Sequence, residues 1–316
     1  MQRLNLKQLA ERSQGFAPGH RACAGCAFPS IIRMLLAAGA DYDLVIANAT
    51  GCMEVVTTIM PYTAWPVPWV HNAFENAGAT ISGIERAYKA LLKRGKIKNA
   101  KKPVKFVAIG GDGGTYDIGL QALSGAIERG HDFLYVLYDN EGYMNTGIQR
   151  SSATPLHAHT TTSPAGTVIP GKQQPRKDLT KIIAMHRPRY AAQGAPAFWN
   201  DLVKKFQKGL EVDGPAFVAV LSTCPPGWGT PENMSIELTK LAVETRFWPL
   251  YEYEDGYWKV NYKPRKFVPV EEFLKHQGRF KHIMKNPELI KEIQDEIEKN
   301  WKELLWLESR KKEEEK

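Results

Sequence analysis

The sequence predicts an α/β fold built on a doubly wound parallel sheet, with an α+β extension at the C-terminal end. Three observations point there. Apolar runs rich in β-branched and aromatic residues alternate with segments of helical periodicity, the pattern of parallel strands joined by crossover helices. Residues 105–147 compress that pattern into a strand, a glycine-rich turn, a helix and a second strand. From Thr230 onward the alternation gives way to a helix, a hairpin and a long charged helix. The expected division is therefore 1–229 and 230–316.

Taken in order, residues 1–18 read as an arm anchored by Leu4, Leu6 and Leu9. Pro18-Gly19-His20-Arg21 leads into a CxxC, Cys23-Ala24-Gly25-Cys26. His20 and Arg21 read either as hydrogen-bond donors near whatever the cysteines hold or as ordinary loop residues. A helix over 28–38 buries Ile31, Ile32, Leu35 and Leu36. A short strand at 44–47 ends in the turn Asn48-Ala49-Thr50-Gly51-Cys52, and 53–58 starts another helix. Residues 62–69, rich in Pro and Trp, read as a loop. Residues 72–92 carry a helical pattern opened by His71, Glu75 and Asn76, read as structural at a cofactor or subunit face; proton transfer by His71 is the less favoured reading. A basic turn at 95–102 precedes the central unit.

That unit has a strand at 104–109, a turn Gly110-Gly111-Asp112-Gly113-Gly114, a helix at 117–129 and a strand at 133–138 ending in Asp139-Asn140-Glu141-Gly142. Residues 148–171 are polar and rich in Thr, Ser, Pro and Gly, a length without pattern that marks a functional loop. Helices at 179–185 and 198–212 flank a small apolar strand and turn at 190–197. A buried strand at 215–221 leads to Cys224. Beyond it come a helix at 232–245, a hairpin at 251–262 and a helix at 287–314, where Pro287 suits the first turn.

Length and charge set limits. The 316 residues suffice for a sizeable core. No apolar run reaches membrane-spanning length and no signal-peptide pattern opens the chain, so a cytoplasmic protein is expected, with no membrane role. The net charge of +8 comes largely from lysines spread along the chain. No nucleic-acid recognition motif accompanies it, so the expectation is a basic surface, or one that attracts an acidic partner.

The chemistry is expected at strand ends. In open α/β sheets, ligands bind outside the carboxyl ends of the strands. Asp112 and Asn140 fall there on neighbouring strands. A carboxylate, an amide oxygen and a backbone carbonyl suit magnesium, which completes its octahedron with phosphate oxygens and water. Glycines at 111, 113 and 114 let backbone N–H groups approach a diphosphate. The chain has four cysteines, Cys23, Cys26, Cys52 and Cys224. Their chemistry alone leaves zinc, an iron–sulfur cluster and unliganded thiols open.

Gly111-Asp112-Gly113, followed after a helix and strand by Asn140 and then Asn145-Thr146-Gly147, resembles the signature of thiamine-diphosphate enzymes. The longer texts GDGGTYDIGLQALSGA and YDNEGYMNTGIQRSSATP resemble the β subunits of 2-oxoacid:ferredoxin oxidoreductases, over about residues 19–250. The resemblance implies a sheet of the thiamine-diphosphate-binding type. It implies Asp112, Asn140 and the Gly142 carbonyl as magnesium ligands. Gly51, Cys52, Gly111, Gly113, Gly114 and Thr146 would contact the cofactor, and Asn145 would lie at the reacting centre. Cys23, Cys26, Cys52 and Cys224 would ligate a [4Fe–4S] cluster, which accounts for every cysteine.

The activity implied is oxidative decarboxylation of pyruvate to acetyl-CoA and carbon dioxide with reduction of ferredoxin. Branched-chain, aryl or oxalate substrates fit the same motifs. The family's activating glutamate and its double-cluster module are expected on α, γ and δ type partner subunits. Two other classes remain open from the residues: a non-redox thiamine decarboxylase or carboligase subunit, and a non-catalytic, zinc-stabilised interaction protein.

Overall fold

The computed structural model describes residues 4–12 and 15–314. Its strands are β1 (Asp43–Ala49), β2 (Trp69–Asn72), β3 (Val104–Gly111), β4 (Leu134–Asp139), β5 (Tyr190–Gly194), β6 (Ala216–Leu221), β7 (Tyr251–Glu254) and β8 (Tyr257–Val260). They form one sheet in the order β2-β1-β3-β4-β6-β5-β7-β8. The six strands from β2 to β5 are parallel, and β7 and β8 join antiparallel beside β5.

Strands covered on both faces need apolar side chains at every position, which is why β4 and β6 read as continuous hydrophobic runs. Alternation then sends neighbours to opposite cores. Val107, Ile109, Val136 and Val218 pack with Ile31, Leu35 and Phe206 from the helices Phe28–Ala38 and Trp199–Glu211. Phe106, Ala108, Leu137 and Phe217 pack with Ile81, Leu123 and Ile183 on the other side. The helices Ala77–Lys93, Leu120–Glu128 and Leu179–Met185 supply that second layer.

Three expectations change. Residues 69–72 are neither loop nor helix but the edge strand β2, and the helix beyond it starts at Ala77. Four half-exposed residues are too few to show an alternation against the prolines before them. The helix expected from 117 begins directly after Asp112, as a wide turn over Gly113–Ile118, before the α-helix Leu120–Glu128. Thr115, which donates a 2.7 Å hydrogen bond to the Gly111 carbonyl, ties that turn to β3. In the arm, Leu4 and Leu9 are buried but Leu6 is exposed; residues 1–3 and 13–14 of the arm lie outside the described residues.

The segment after Thr230 shares the sheet and its core. The hairpin extends the sheet past β5, and the helix Pro287–Glu314 buries Ile293, Ile297, Trp301 and Leu304 into the same apolar cluster. The stripe on that helix therefore packs within this chain. Among the described residues, no helix is long and apolar enough to cross a membrane.

Glu252 on β7 locks the hairpin to the sheet. It accepts a 2.9 Å hydrogen bond from Tyr190 of β5 and pairs with Lys208 at 3.1 Å and Lys259 at 3.2 Å. Burial works to raise its carboxyl, but Lys208 and Tyr190 prevail and hold it down at about 2, from 4.5. A depressed carboxylate stabilises the fold above its unfolded value, and that stability is lost as pH falls through the folded value. Thermal unfolding followed across this range should show the wild-type midpoint falling between about pH 4.5 and 2. Glu252→Gln should start lower at neutral pH and fall less steeply.

Candidate functional site

From β1 the chain runs outward to β2, then returns to β3 on the other side of β1. The loops leaving β1 and β3 therefore diverge, which opens a crevice at the carboxyl ends of the strands. Thr50, Gly51 and Cys52 line it from β1; Gly111, Asp112, Gly113 and Gly114 from β3; Asn140, Gly142, Tyr143, Asn145 and Thr146 from β4. Phe74, Tyr138 and Met144 complete it. All ten residues expected to contact a cofactor thus border one cleft, with Asn145 and Thr146 exposed at its rim. Glycine is required for shape at several of these positions. A Cβ on Gly113 would lie 2.3 Å from the Tyr143 ring, and one on Gly51 would lie 2.5 Å from the Tyr138 hydroxyl.

Asp112 directly follows β3 and is 1 % exposed. The Ser151 hydroxyl donates to its Oδ2. On its other oxygen, one terminal atom of the Asn140 amide lies 2.8 Å from Asp112 Oδ1 and 2.9 Å from the Gly142 carbonyl oxygen. As the amide nitrogen, that atom donates to both. Turned over, the amide presents its oxygen, and three oxygens converge at those spacings. Ligand distances of about 2.0–2.1 Å put neighbouring corners of a magnesium octahedron about 2.9 Å apart. Burial, and next the Asp139 carboxylate, push the Asp112 carboxyl well above its usual range. A divalent cation reverses that cost. The donor set therefore fits magnesium in spacing and in charge.

The four cysteines gather beside this cleft. Cys52 begins the helix Cys52–Thr57, and Cys224 follows β6 and precedes the short helix Pro225–Trp228. The CxxC loop is tied to that second position by the Ala27 N–H, which donates to the Thr223 carbonyl at 3.4 Å. The four thiols interact electrostatically with one another. Burial first, and then the neighbouring thiols, push Cys26 and Cys52 up to about 12 and Cys224 up to about 11. Among the described residues, no group of three His, Cys, Asp or Glu is placed to hold a single metal ion. Polar atoms that find no partner are buried around the same strand ends: Asn48 Oδ1 near the end of β1, both Asn72 amide atoms at the end of β2, and Thr223 Oγ1 beside Cys224. Such atoms are costly to leave unpaired.

Sequence reasoning missed the charged network behind the turn. Asp139 accepts from the Tyr116 hydroxyl at 2.6 Å and from Arg176 at 2.7 Å, and burial lifts its carboxyl to about 6 despite that arginine. Glu141, with a left-handed φ of 66°, lies between Asn140 and Gly142 and accepts from Arg176 at 2.8 Å and from Arg279. Thr154 donates to the Glu141 carbonyl at 2.8 Å, so the loop over 148–171 folds back onto the turn. The available signal was the acidic pair around Asn140; its arginine partners are 37 and 138 residues away in sequence. His71 bonds Thr50 at 2.8 Å at the edge of the cleft, and His20 stacks on Phe16. A larger cavity, about 680 Å³, lies between the helix Pro287–Glu314 and the loop bearing Arg176, and holds none of the expected site residues.

Comparison with known proteins places these observations. Residues 49–220 match the family described as thiamine pyrophosphate enzyme, C-terminal TPP binding domain. The chain is 51 % identical to pyruvate synthase subunit PorB of Thermotoga maritima, covering 96 % of this chain and 97 % of that one. It is 54 % identical to PorB of Methanocaldococcus jannaschii, covering 92 % and 96 %. It is 43 % identical to ketoisovalerate oxidoreductase subunit VorB of Pyrococcus furiosus, covering 92 % of each. Its fold is similar to that of the 2-oxoglutarate:ferredoxin oxidoreductase of Magnetococcus marinus, solved with 2-oxoglutarate, coenzyme A and succinyl-CoA. That likeness has a TM-score of 0.55 at 20 % identity, over 71 % of this chain and 77 % of that one.

The CxxC loop offers a direct check on this geometry. Gly25 has φ +73°, and a Cβ there would lie 2.2 Å from the Glu232 carbonyl oxygen. Gly25→Ala should lower stability by about 1–3 kcal/mol from overpacking alone, read as a drop in unfolding midpoint. Ala24→Ser, at an exposed neighbour, should leave the midpoint unchanged.

Proposed function

The chain belongs to the family of pyruvate synthase subunits PorB, 2-oxoacid:ferredoxin oxidoreductases of the thiamine-diphosphate class, and from that premise we propose that it holds magnesium thiamine diphosphate and one [4Fe–4S] cluster. The observation that carries the reading is the spacing of Asp112 Oδ1, the Asn140 amide and the Gly142 carbonyl, 2.8 and 2.9 Å apart at the mouth of a glycine-lined cleft. Asp112, Asn140 and Gly142 would hold the magnesium. Gly111, Gly113, Gly114 and the Thr50–Cys52 turn would admit the diphosphate, and Asn145 and Thr146 would border the reacting end. Bound there, thiamine diphosphate supplies an electron sink for decarboxylation. Ser151 fixes the Asp112 carboxylate by hydrogen bond, and Asp139 and Glu141, clamped by Arg176 and Arg279, hold the metal turn rigid.

Cys23, Cys26, Cys52 and Cys224 would ligate the cluster. Support comes from their mutual field, from the half-buried setting of Cys26, Cys52 and Cys224 (Cys23 is exposed) and from the unpartnered Thr223 hydroxyl next to Cys224. The electrons would leave to ferredoxin and the acyl group to coenzyme A, with α, γ and δ type subunits supplying the rest of the site. Pyruvate is the substrate favoured, because identity to the pyruvate synthase subunits exceeds identity to the ketoisovalerate subunit. That second relative keeps a branched-chain 2-oxoacid as the other reading.

Three measurements test this. Titration calorimetry should show thiamine diphosphate binding only with magnesium. Ser151→Ala should weaken it by about 10–100-fold, as loss of a ligand's hydrogen-bond partner does, and Asp112→Ala should abolish it. Binding that persists in Asp112→Ala would sink the assignment. Anaerobically prepared protein should contain iron and acid-labile sulfide in equal amounts and absorb in the visible; stoichiometric zinc instead would exclude the cluster. Assay of the assembled complex with several 2-oxoacids should give the highest kcat/KM with pyruvate.

A further inference from the structure

Arg279 lies in the C-terminal segment, far in sequence from every residue assigned above, yet it reaches both centres. Its chain position is fixed by a close backbone approach. The Gly278 N–H donates to the Gly229 carbonyl at 3.1 Å, and a Cβ on Gly229 would come within 3.0 Å of Gly278 Cα. The guanidinium then lies 4.1 Å over the Trp228 ring. Trp228 in turn anchors both loops: its backbone N–H donates to the Cys224 carbonyl at 2.8 Å and its indole N–H donates to the Asn140 carbonyl at 2.8 Å.

The donors of Arg279 are unequally used. Nε and Nη2 donate to Gln277, and Nη2 also donates to Glu141 between the two metal-turn residues. Nη1 is buried and has no partner. The side chain is 3 % exposed, and its charge is felt by the Cys224 thiol. Its one carboxylate partner, Glu141, is shared with Arg176, which also takes Asp139. A buried cation whose single carboxylate partner is shared, whose charge acts on the Cys224 thiol and whose Nη1 edge is unused can accept a further anion.

We propose that Arg279 sets the reduction potential of the cluster, acting as a positioning residue whose charge stabilises the reduced state. The inference rests on the cluster assigned above. When the cluster takes one electron it gains one negative charge and no other bond changes. In the enzyme the electron comes from oxidation of the 2-oxoacid; in a titration it comes from a chemical reductant. A fixed cation beside the fourth thiolate favours the reduced form, since charge and hydrogen bonding around the sulfurs are the levers that tune such centres.

The test is an EPR-monitored redox titration of the cluster-loaded full chain. Arg279→Gln should shift the ratio of oxidised to reduced cluster at least tenfold toward oxidised at a fixed potential, equivalent to about 59 mV for one electron. Arg279→Lys, which keeps the charge but not the fork, should retain the wild-type potential. An intact cluster with unchanged potential in Arg279→Gln overturns the proposal. If Arg279→Gln does not hold a cluster, Arg279→Lys decides: a loaded cluster at the wild-type potential supports the charge, and loss of the cluster there too makes Arg279 a structural anchor only. Absence of any cluster from the wild-type chain would instead refute the reading on which this one rests.

Discussion

Asp112 is a carboxylate set almost wholly out of water, within reach of an amide and a carbonyl that also offer oxygen. Burying such a group without a counter-charge is unfavourable, and among the described residues no lysine or arginine pairs with it. Instead it surrounds Asp112 with Ser151, the reversible Asn140 amide and a cleft of glycines open to a ligand. The consequence runs through the fold. β3 and β4 must end level with one another, the loop over 148–171 must fold back to bring Ser151 and Thr154 in, and the turn after Asn140 must be held in a left-handed conformation at Glu141.

The second constraint is the balance of charge behind that turn. Two carboxylates and two guanidiniums form one network with Tyr116: Asp139, Glu141 and Arg279 are buried and Arg176 is half-buried. Each pair on its own would be a weak contribution to stability, because desolvation offsets attraction. As a network they fix geometry: Arg176 comes from the loop before the helix Leu179–Met185, and Arg279 from the segment after the hairpin. The C-terminal part of the chain is thereby joined to the cofactor cleft. Ser235, which donates to the Gly25 carbonyl, ties the same part to the CxxC loop.

Much of this was legible in the residues. The strand-turn-helix-strand unit, the carboxyl-end location of Asp112 and Asn140, the helix Leu179–Met185 and the helix Pro287–Glu314 follow from periodicity and turn chemistry, which are local. The edge strand β2 did not, because four residues carry too little pattern. Nor did the early start of the helix after Asp112, which depends on Thr115 bonding back to β3. The arginine partners of Asp139 and Glu141 were invisible for a different reason: an arginine in a loop reads as solvated until the fold shows which distant carboxylates and aromatic rings it meets.

By itself the sequence determined the alternation of elements, the carboxylate and amide at strand ends and the presence of four thiols, since each is a matter of residue type and short spacing. Only the tertiary structure decided that β6 inserts between β4 and β5, which carries Cys224 to the side of the cleft, and that the hairpin and last helix close onto the same core. It also decided that Arg279 meets Glu141 and Trp228. Those outcomes depend on which apolar faces cover which strands, a choice made by packing across more than a hundred residues and written in no single stretch of them.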